Sequence, residues 1–303
     1  MVKSKTLHLN LFNIIDVKDV KVDTINETTV IPLGNSIGLK LYTSGVLVVG
    51  KTEVEGKKPY ENSGIEEGDL IVEVNKTEVT CTAELIDSVN NSNGEKLDIK
   101  YIRDGEEYNT NLKPVKTGNN EYKLGLWVRD GAAGVGTITY YEPETKKFAA
   151  LGHGIVDIDT QKLISIASGE LVTTKISSII KGEKKNPGEI RGSIVNGKIL
   201  GEIETNTEFG IYGKLTNTTE LNISTNNEMK VAKRDEIKIG PAKILLNLEN
   251  EIRKEYDIEI KKIYMNNNFN NKSMLIEVTD EELLKLTGGI VQRNEWSTNN
   301  TKQ

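Results

Sequence analysis

The segment SGIEEGDLIVEVN, residues 63–75, determines the fold of the first half of the chain. Its first residues are rich in glycine and acidic side chains, as in a turn, and LIVEV then has the composition of a strand. Two β-rich runs precede it in residues 31–50. A helical run, TAELIDSVNN at 82–91, and two strands hinged at Asp104-Gly105 follow it. These patterns predict one compact unit at residues 31–115.

This unit resembles a PDZ domain. In that family, the loop before the second strand offers backbone N–H groups to a terminal carboxylate, and a peptide adds as a strand between that strand and a helix. The resemblance predicts a peptide-binding site made of Asn35, Ser36, Ile37 and Gly38 in the loop, Leu39 and Leu41 on the strand, and Leu85 and Val89 on the helix. Because Leu85 and Val89 lie four apart on one helix face, core packing is an equal alternative for them.

The composition of the chain argues against several classes of function. The 303 residues, 36% hydrophobic and 28% charged, are enough for two domains with cores. A formal net charge of -6 argues against a nucleic-acid partner, because phosphate binding requires clustered Lys and Arg. The single cysteine, Cys81, excludes an internal disulfide, and no cationic neighbour activates it. Polar residues interrupt the apolar N-terminus, so neither a signal peptide nor a membrane anchor is predicted and the chain as written would be cytoplasmic.

The rest of the chain has a β-rich pattern. Residues 1–30 read as short strands or an extended entry segment. Residues 119–303 begin with a strand, a Gly/Ala-rich turn at DGAAGVG, and a second strand that runs into His153. Further β runs up to SMLIEV predict a sandwich or barrel. One helix, TDEELLKL, is predicted, with Thr279 and Glu282 as a capping box and Gly288-Gly289 as its end.

Several segments of the second half resemble the stage IV sporulation protein B (SpoIVB-type) serine peptidases. They are KLGLWVRDGAAGVGTITYYEPETKKFAALGHGIVDIDT, KGEKKNPGEIRG, GEIETNTEFGIYGKL and SMLIEVTDEELLKLTGGIVQ. The resemblance implies a mainly β chain, with a PDZ domain followed by a trypsin-like β-barrel peptidase domain. Members of that family carry an N-terminal membrane anchor and act between forespore and mother cell. They cleave a membrane-bound regulatory protein so that a sigma factor is processed.

The resemblance also assigns catalytic roles. His153 would be the general base and Asp280 the acid that orients its imidazole, since a serine hydroxyl needs a base and the imidazolium needs an anion. Each residue has a plainer alternative. A histidine between two glycines is often a structural side chain, and Asp280 lies at the first turn of a helix, where a carboxylate is favoured. Asp157 and Asp159 are alternative anions. No metal or cofactor is expected.

The chain departs from the family after Gln292. The family continues with GMSGSP, which carries the nucleophile, whereas this chain reads RNEWSTNNTKQ. Glu295 therefore occupies the nucleophile position, Arg293 replaces the first glycine, and Ser297 is a poor substitute nucleophile. Family members continue through strands that complete the second barrel, so the peptidase domain is predicted to lack its C-terminal strands. Three functions remain open: an inactive relative of the sporulation peptidases, a PDZ scaffold that binds peptides, and a disrupted gene product.

Overall fold

The computed structural model describes residues 3–11, 15–24, 27–183, 186, 188–194, 197–248, 253–264, 273–289, 291–292, 296–297 and 301–302. These residues form two helices, three short 3-10 turns and many strands. The protein is mainly β, which confirms the predicted fold class.

The elements of the chain up to Lys123 are short and long strands and one helix. They are β1 Lys3–Leu11, β2 Ile15–Thr24, β3 Thr29–Pro32, β4 Ser36–Lys51, β5 Leu70–Val74, β6 Thr77–Glu78, α1 Thr82–Asn91, β7 Leu97–Arg103, β8 Glu106–Leu112, β9 Val115–Lys116 and β10 Tyr122–Lys123. The predicted helix TAELIDSVNN is confirmed as α1. The predicted hinge between β7 and β8 is also confirmed, because Asp104 and Gly105 both have positive φ, as a tight hairpin turn requires.

The elements of the second half are almost all strands. They are β11 Leu126–Glu142, β12 Lys147–Ala150, β13 Ile166–Thr173, β14 Lys175–Ile180, β15 Gly188–Ser193, β16 Ile199–Thr207, β17 Gly210–Leu215, β18 Met229–Lys230, β19 Gly240–Asn247, β20 Arg253–Ile263, β21 Met274–Val278, α2 Glu281–Thr287, β22 Val291–Gln292, β23 Trp296–Ser297 and β24 Thr301–Lys302. The 3-10 turns span Thr219–Leu221, Thr225–Asn227 and Arg234–Glu236.

Six antiparallel strands close into a barrel. β4 pairs with β11, β11 with β12, β12 with β17, β17 with β16, β16 with β13, and β13 again with β4. Closure gives each strand of this ring a neighbour on both sides over at least part of its length. The barrel core consists of apolar side chains from all these strands and from β3, among them Ile31, Ile37, Leu39, Leu41, Phe148, Leu171, Leu200 and Ile211.

The PDZ unit is built on the far halves of β4 and β11. β4 leaves the barrel at residues 43–46: from Tyr42 to Leu47 it advances five positions, while the opposing residues of β11 advance only from Gly131 to Arg129. Beyond this bulge, β4 pairs with β5, β5 with β7, and β7 with β8. The core of the unit includes Val46, Val48, Leu85, Val89, Leu97, Leu112, Leu124, Leu126 and Val128. The PDZ unit is therefore inserted between two barrel strands.

The predicted Gly/Ala-rich turn at DGAAGVG is wrong, because β11 runs through it as one strand. The glycines are needed for close packing. A Cβ atom on Gly131 would lie 2.5 Å from the carbonyl oxygen of Leu41, and one on Gly136 would lie 2.2 Å from the Leu151 side chain. The Leu41 backbone leaves no room for a side chain on Gly131, whereas a side chain on Gly136 would require Leu151 to move.

A third unit contains α2, and its strands come from between the barrel strands β13 and β16 and from the chain after the barrel. It comprises the sheets β14-β15-β22 and β19-β20-β21, with Ile190, Leu248, Tyr256 and Leu283 buried between them. The predicted Thr279 cap of α2 is wrong by one residue. Asp280 is the N-cap, and its carboxylate accepts a hydrogen bond from the N–H of Leu283. The predicted end is confirmed, because Gly288 has φ of 72° and caps the helix.

Candidate functional site

His153 lies in the loop that leaves the barrel at the end of β12. The N–H of Leu151 donates to the carbonyl of Thr137 at 3.0 Å, which anchors the start of this loop to β11. The imidazole is exposed, and its Nδ1 lies 3.0 Å from the carbonyl oxygen of Gly154. Within the described residues, no carboxylate or hydroxyl forms a hydrogen bond with it. The described contacts therefore bring neither a nucleophile nor an anion to the exposed imidazole.

Asp280 has a different set of partners from His153. Besides the N–H of Leu283 at 2.9 Å, its carboxylate lies 3.4 Å from the backbone nitrogen of Asp257 on β20. These contacts belong to the third unit, and the pKa of the carboxyl is lowered, chiefly by the hydrogen bond from Leu283. The contacts found for the two predicted catalytic residues do not join them. Asp280 is engaged as a helix cap, the alternative role considered from sequence.

The carboxylates of Asp157 and Asp159 also have partners in the described residues. Both accept from the guanidinium of Arg129 on β11, Asp159 at 2.6 Å. Asp157 and Arg129 are each 1% exposed, and Asp157 also accepts from the N–H groups of Asp159 and Thr160. Arg129 was not predicted as a site residue. The available signal was an arginine within an otherwise apolar strand, LWVRDG, which indicates a buried ion pair.

Most of the segment at the predicted nucleophile position lies outside the described residues. Glu295 and Arg293 lie outside the described residues. Ser297 is described by its backbone on β23, where it pairs with Ala133. Trp296 pairs with Gly134, so β23 lies on the same edge of β11 as β12, just beyond the point where the loop to His153 departs.

The predicted peptide-binding strand has no free edge. Leu39 and Leu41 pair with Gly134 and Ala132 on one side and with Leu171 and Gly169 on the other. Both side chains are buried in the barrel core. Strand addition requires unpaired backbone groups, so the prediction that a peptide adds here is wrong.

The loop that was predicted to bind a terminal carboxylate likewise forms backbone hydrogen bonds with the barrel strand β11. Ser36, Ile37 and Gly38 pair with Thr137, Gly136 and Val135 of β11. The carbonyl of Asn35 accepts from the N–H of Ile138 at 3.1 Å. The helix residues Leu85 and Val89 are fully buried in the PDZ core, which is the packing alternative considered for them. Ile37, Leu39 and Leu41 therefore lie in the barrel core, whereas Leu85 and Val89 lie in the PDZ core.

Two strands lie beside α1, β10 and β11. The N–H of Thr82 at the start of the helix donates to the Asp130 carboxylate at 2.7 Å, and Asn90 near its end accepts from the N–H of Tyr122 at 2.9 Å. Leu126 and Val128 share the PDZ core with the helix. Cys81, the N-cap residue of α1, is partly buried and makes no capping hydrogen bond.

The outer edge of β11 next to α1 carries two added strands. Gly134 and Ala133 pair with Trp296 and Ser297, and Val128 and Trp127 pair with Thr301 and Lys302, all antiparallel. This is the hydrogen-bonding pattern of strand addition. In the described residues, the strands added beside the PDZ core therefore lie on β11 rather than on β4.

The described residues hold no cluster of His, Cys, Asp or Glu suited to a metal ion. Neither α1 nor α2 is long and apolar enough to cross a lipid bilayer.

Comparison with known proteins agrees with the two-part architecture. A PDZ family model matches residues 22–113, and the family model for SpoIVB peptidase S55 matches residues 120–297. The zinc metalloprotease RasP of Shouchella clausii is 36% identical over 95 residues, which are 30% of this chain and 22% of that protein. This chain thus spans about a fifth of that relative.

Among solved structures, the PDZ domain of an SdrC-like protein from Listeria monocytogenes is 21% identical, with a TM-score of 0.24, and covers 27% of this chain and 85% of that one. The peptidase family model matches more than half of the 303 residues. The chain belongs to the SpoIVB peptidase S55 family.

Proposed function

We propose that this chain is a sporulation signalling protein of the S55 type that captures an extended segment of a membrane-bound regulatory protein without cleaving it. Its site of action would be that of the family, between forespore and mother cell. The peptidase architecture is retained as a scaffold, and the outer edge of β11 is the capture surface.

The state of His153 carries the argument against cleavage. A serine peptidase needs a base that is hydrogen-bonded to a nucleophile and oriented by an anion. In the described residues, the imidazole contacts only the carbonyl of Gly154, and the three candidate anions are occupied by Arg129 or by the start of α2. The sequence adds a glutamate at position 295, and a carboxylate there has no hydroxyl proton for the histidine to remove.

The position of β11, which the barrel and the PDZ unit share, supports capture of an extended segment near His153. A segment that adds antiparallel to β11 places its C-terminal part beside Trp127 and α1, and its N-terminal part toward Gly136. The loop to His153 leaves β11 at Thr137. A captured chain would therefore extend from the PDZ unit toward the family's catalytic histidine.

The test is a cleavage assay on the purified chain. A mixture of synthetic peptides is incubated with the wild type and with His153→Ala, and products are identified by mass spectrometry. We expect no cleavage above background with either protein, because no nucleophile is activated. Cleavage by the wild type that disappears in His153→Ala would show that the chain is an active peptidase.

A second candidate function, peptidase activity through Ser297, is favoured by one observation. β23 holds the backbone of Ser297 opposite Ala133, on the edge of β11 from which the loop to His153 departs. In that case a serine-directed inhibitor and Ser297→Ala would both abolish cleavage, whereas Ser224→Ala, at the N-cap of the 3-10 turn Thr225–Asn227, would not.

A further inference from the structure

We propose that the edge of β14 that faces α2 is a second peptide-binding site, which takes an extended polypeptide segment with apolar side chains and an acidic C-terminal end. The site belongs to the third unit and is separate from the outer edge of β11. It therefore goes beyond the proposed function and does not depend on it. The bound segment would add antiparallel to β14, at the end of the β14-β15-β22 sheet.

A cleft of about 590 Å³ follows β14 along its length. Six consecutive residues, 174–179, line one side, as expected of a cleft that runs beside a strand rather than over one of its faces. The opposite wall comes from Asn247 and Leu248 at the end of β19 and from Leu286 of α2. The cleft has the volume of an ordinary ligand site, which is about 300–1,000 Å³. It combines a strand with a neighbouring helix, as sites of strand addition do.

The strand β14 lies at the end of its sheet. β15 pairs with one side of it, from Lys175 opposite Ser193 to Ile180 opposite Glu189. Within the described ranges, no strand pairs with the other side of β14, where the cleft walls belong to β19 and α2. An edge strand with unpaired N–H and C=O groups is a template for a further strand. The described part of β14 therefore offers backbone groups to a segment in the cleft.

The cleft lies where β4 begins. One residue separates β14 from β13, and β13 pairs with β4 up to Thr173 opposite Ile37. Before Ser36 the chain leaves this line and follows β11 as β3. Gly34 permits the change of direction, since its φ is 144° and a Cβ there would lie 2.3 Å from the carbonyl oxygen of Leu245. A segment in the cleft would thus lie beside β14 as β4 lies beside β13.

The cleft is lined by apolar side chains and has a fixed wall. Four of its side chains belong to the core of the third unit or pack against it: Ile176, Ile179, Leu248 and Leu286. The end of β19 is tied to the start of β4, because the hydroxyl of Ser36 donates to the carbonyl of Asn247 at 3.1 Å and the N–H of Asn247 donates to Gly34 at 2.9 Å. Apolar side chains of a bound segment would therefore be buried against a preformed surface, which limits the entropic cost of binding.

The end of the cleft at Lys175 is polar and cationic. Among the described residues, the ammonium of Lys175 forms no ion pair, whereas Lys198, which lines the same end, pairs with Glu220 at 2.7 Å. Residues 174–185 include four lysines and one glutamate, in a chain whose net charge is -6. A segment antiparallel to β14 has its C-terminal end beside Lys175. Charge complementarity therefore assigns an acidic group to that end of the ligand.

An unsatisfied acceptor lies at the same end. The side-chain oxygen of Asn35 is buried and has no hydrogen-bond partner in the described part of the chain. Asn35 lines a cavity of about 360 Å³ that adjoins the cleft and shares Ser36, Lys175 and Asn247 with it. A buried acceptor without a partner costs free energy, and an N–H group of a bound segment would satisfy it.

Two fluorescein-labelled peptides with amidated C-termini test the site in the full chain. The peptide GTVTVTVD has its acidic residue at the C-terminal end, and GDVTVTVT has it at the N-terminal end. We expect the first to bind about tenfold more tightly, because antiparallel addition brings its carboxylate to Lys175. Hydrogen exchange read by mass spectrometry should show protection of residues 174–180 on binding and unchanged exchange at residues 126–134 of β11.

Variants of the full chain locate the contacts. Lys175→Glu should weaken the binding of GTVTVTVD about tenfold. The matched control is Lys181→Glu, just past the other end of β14, which should weaken it less than about threefold. Asn35→Leu should also weaken binding, but it should leave the thermal midpoint of the unliganded chain equal or higher, because it removes an acceptor that has no partner in the described structure.

Absence of saturable binding, or equal affinity for the two peptides, would overturn the proposal. Protection at residues 126–134 alone would assign the peptide to β11 and would overturn it too. Protection of residues 174–180 that rises with protein concentration in the absence of peptide would assign this edge to a second copy of the chain, with the same consequence. These readouts do not depend on cleavage, so a failed peptide site and an active peptidase are distinguishable results.

Discussion

Arg129 is a buried cation on the strand that the barrel and the PDZ unit share. Its guanidinium binds Asp157 and Asp159, which follow His153 in the same loop. Removing one partner of a fully buried pair leaves an uncompensated charge, which costs much more than the intact pair contributes. The position of the His153 loop therefore depends on this ion pair.

We expect Asp157→Asn to lower the free energy of unfolding by about 1–3 kcal/mol, because it removes the buried carboxylate and leaves the Arg129 guanidinium with the partly exposed Asp159 as its charged partner. The matched control is Asp159→Asn. Asp159 is 43% exposed, so its loss should change the free energy by less than about 1 kcal/mol. Urea unfolding of the three proteins measures both values. Similar midpoints for wild type and Asp157→Asn would contradict the role assigned to this pair.

At the scale of single elements, α2 offers a test of how Asp280 is used. The pKa of its carboxyl is lowered, first by the N–H of Leu283, so the folded protein binds this proton less tightly than the unfolded chain does. The contribution of the cap to stability is therefore complete above the unfolded pKa and is lost as the pH falls through the folded pKa.

We expect Asp280→Ala to melt at a lower temperature than the wild type at neutral pH, and the difference to shrink as acid protonates Asp280 in the wild type. Asp280→Asn, which keeps a capping oxygen without the charge, should show a smaller difference at neutral pH. Thermal melts across a pH series measure these differences. A deficit for Asp280→Ala that stays constant into acid would show that the carboxylate charge does not stabilise the helix.

Elements that depend on residues close together in the chain could be predicted from the sequence. The periodicity of TAELIDSVNN predicts α1, and the Asp104-Gly105 pair predicts the hairpin between β7 and β8, because each depends on residues next to one another. The turn at DGAAGVG was wrong because its glycines make room for Leu41 and Leu151, which are distant in sequence. The peptide-binding strand was misplaced for the same reason: both neighbours of Leu39 belong to the second half of the chain. The composition of a strand does not reveal which strands will flank it.

At the scale of the whole molecule, the units do not follow consecutive stretches of sequence. The predicted PDZ unit at 31–115 includes Leu39 and Leu41, which are buried in the barrel, and omits Leu124 and Val128, which are buried in the PDZ core. A fragment cut at the predicted boundaries would therefore expose apolar side chains at one end and lack core residues at the other.

We expect residues 44–130 to fold as an isolated fragment with a cooperative thermal transition, because this span contains the complete PDZ core. The fragment 31–115 should melt at a lower temperature or without a cooperative transition, since it lacks three fully buried residues, Leu124, Leu126 and Val128. Circular dichroism melts of both fragments measure the difference. A cooperative melt of 31–115 at an equal or higher temperature would show that the start of β11 is dispensable.

The insertion of the PDZ unit between β4 and β11 also bears on how the chain folds. These strands pair Ser36 with Thr137 and Lys51 with Leu126, so the barrel cannot close until segments far apart in sequence meet. Closing so long a loop costs chain entropy, and folding is slow where such distant contacts dominate. A PDZ unit that folds first would bring Lys51 and Leu126 together and shorten the effective loop. The PDZ unit would then serve, during synthesis, as the nucleus from which the barrel forms.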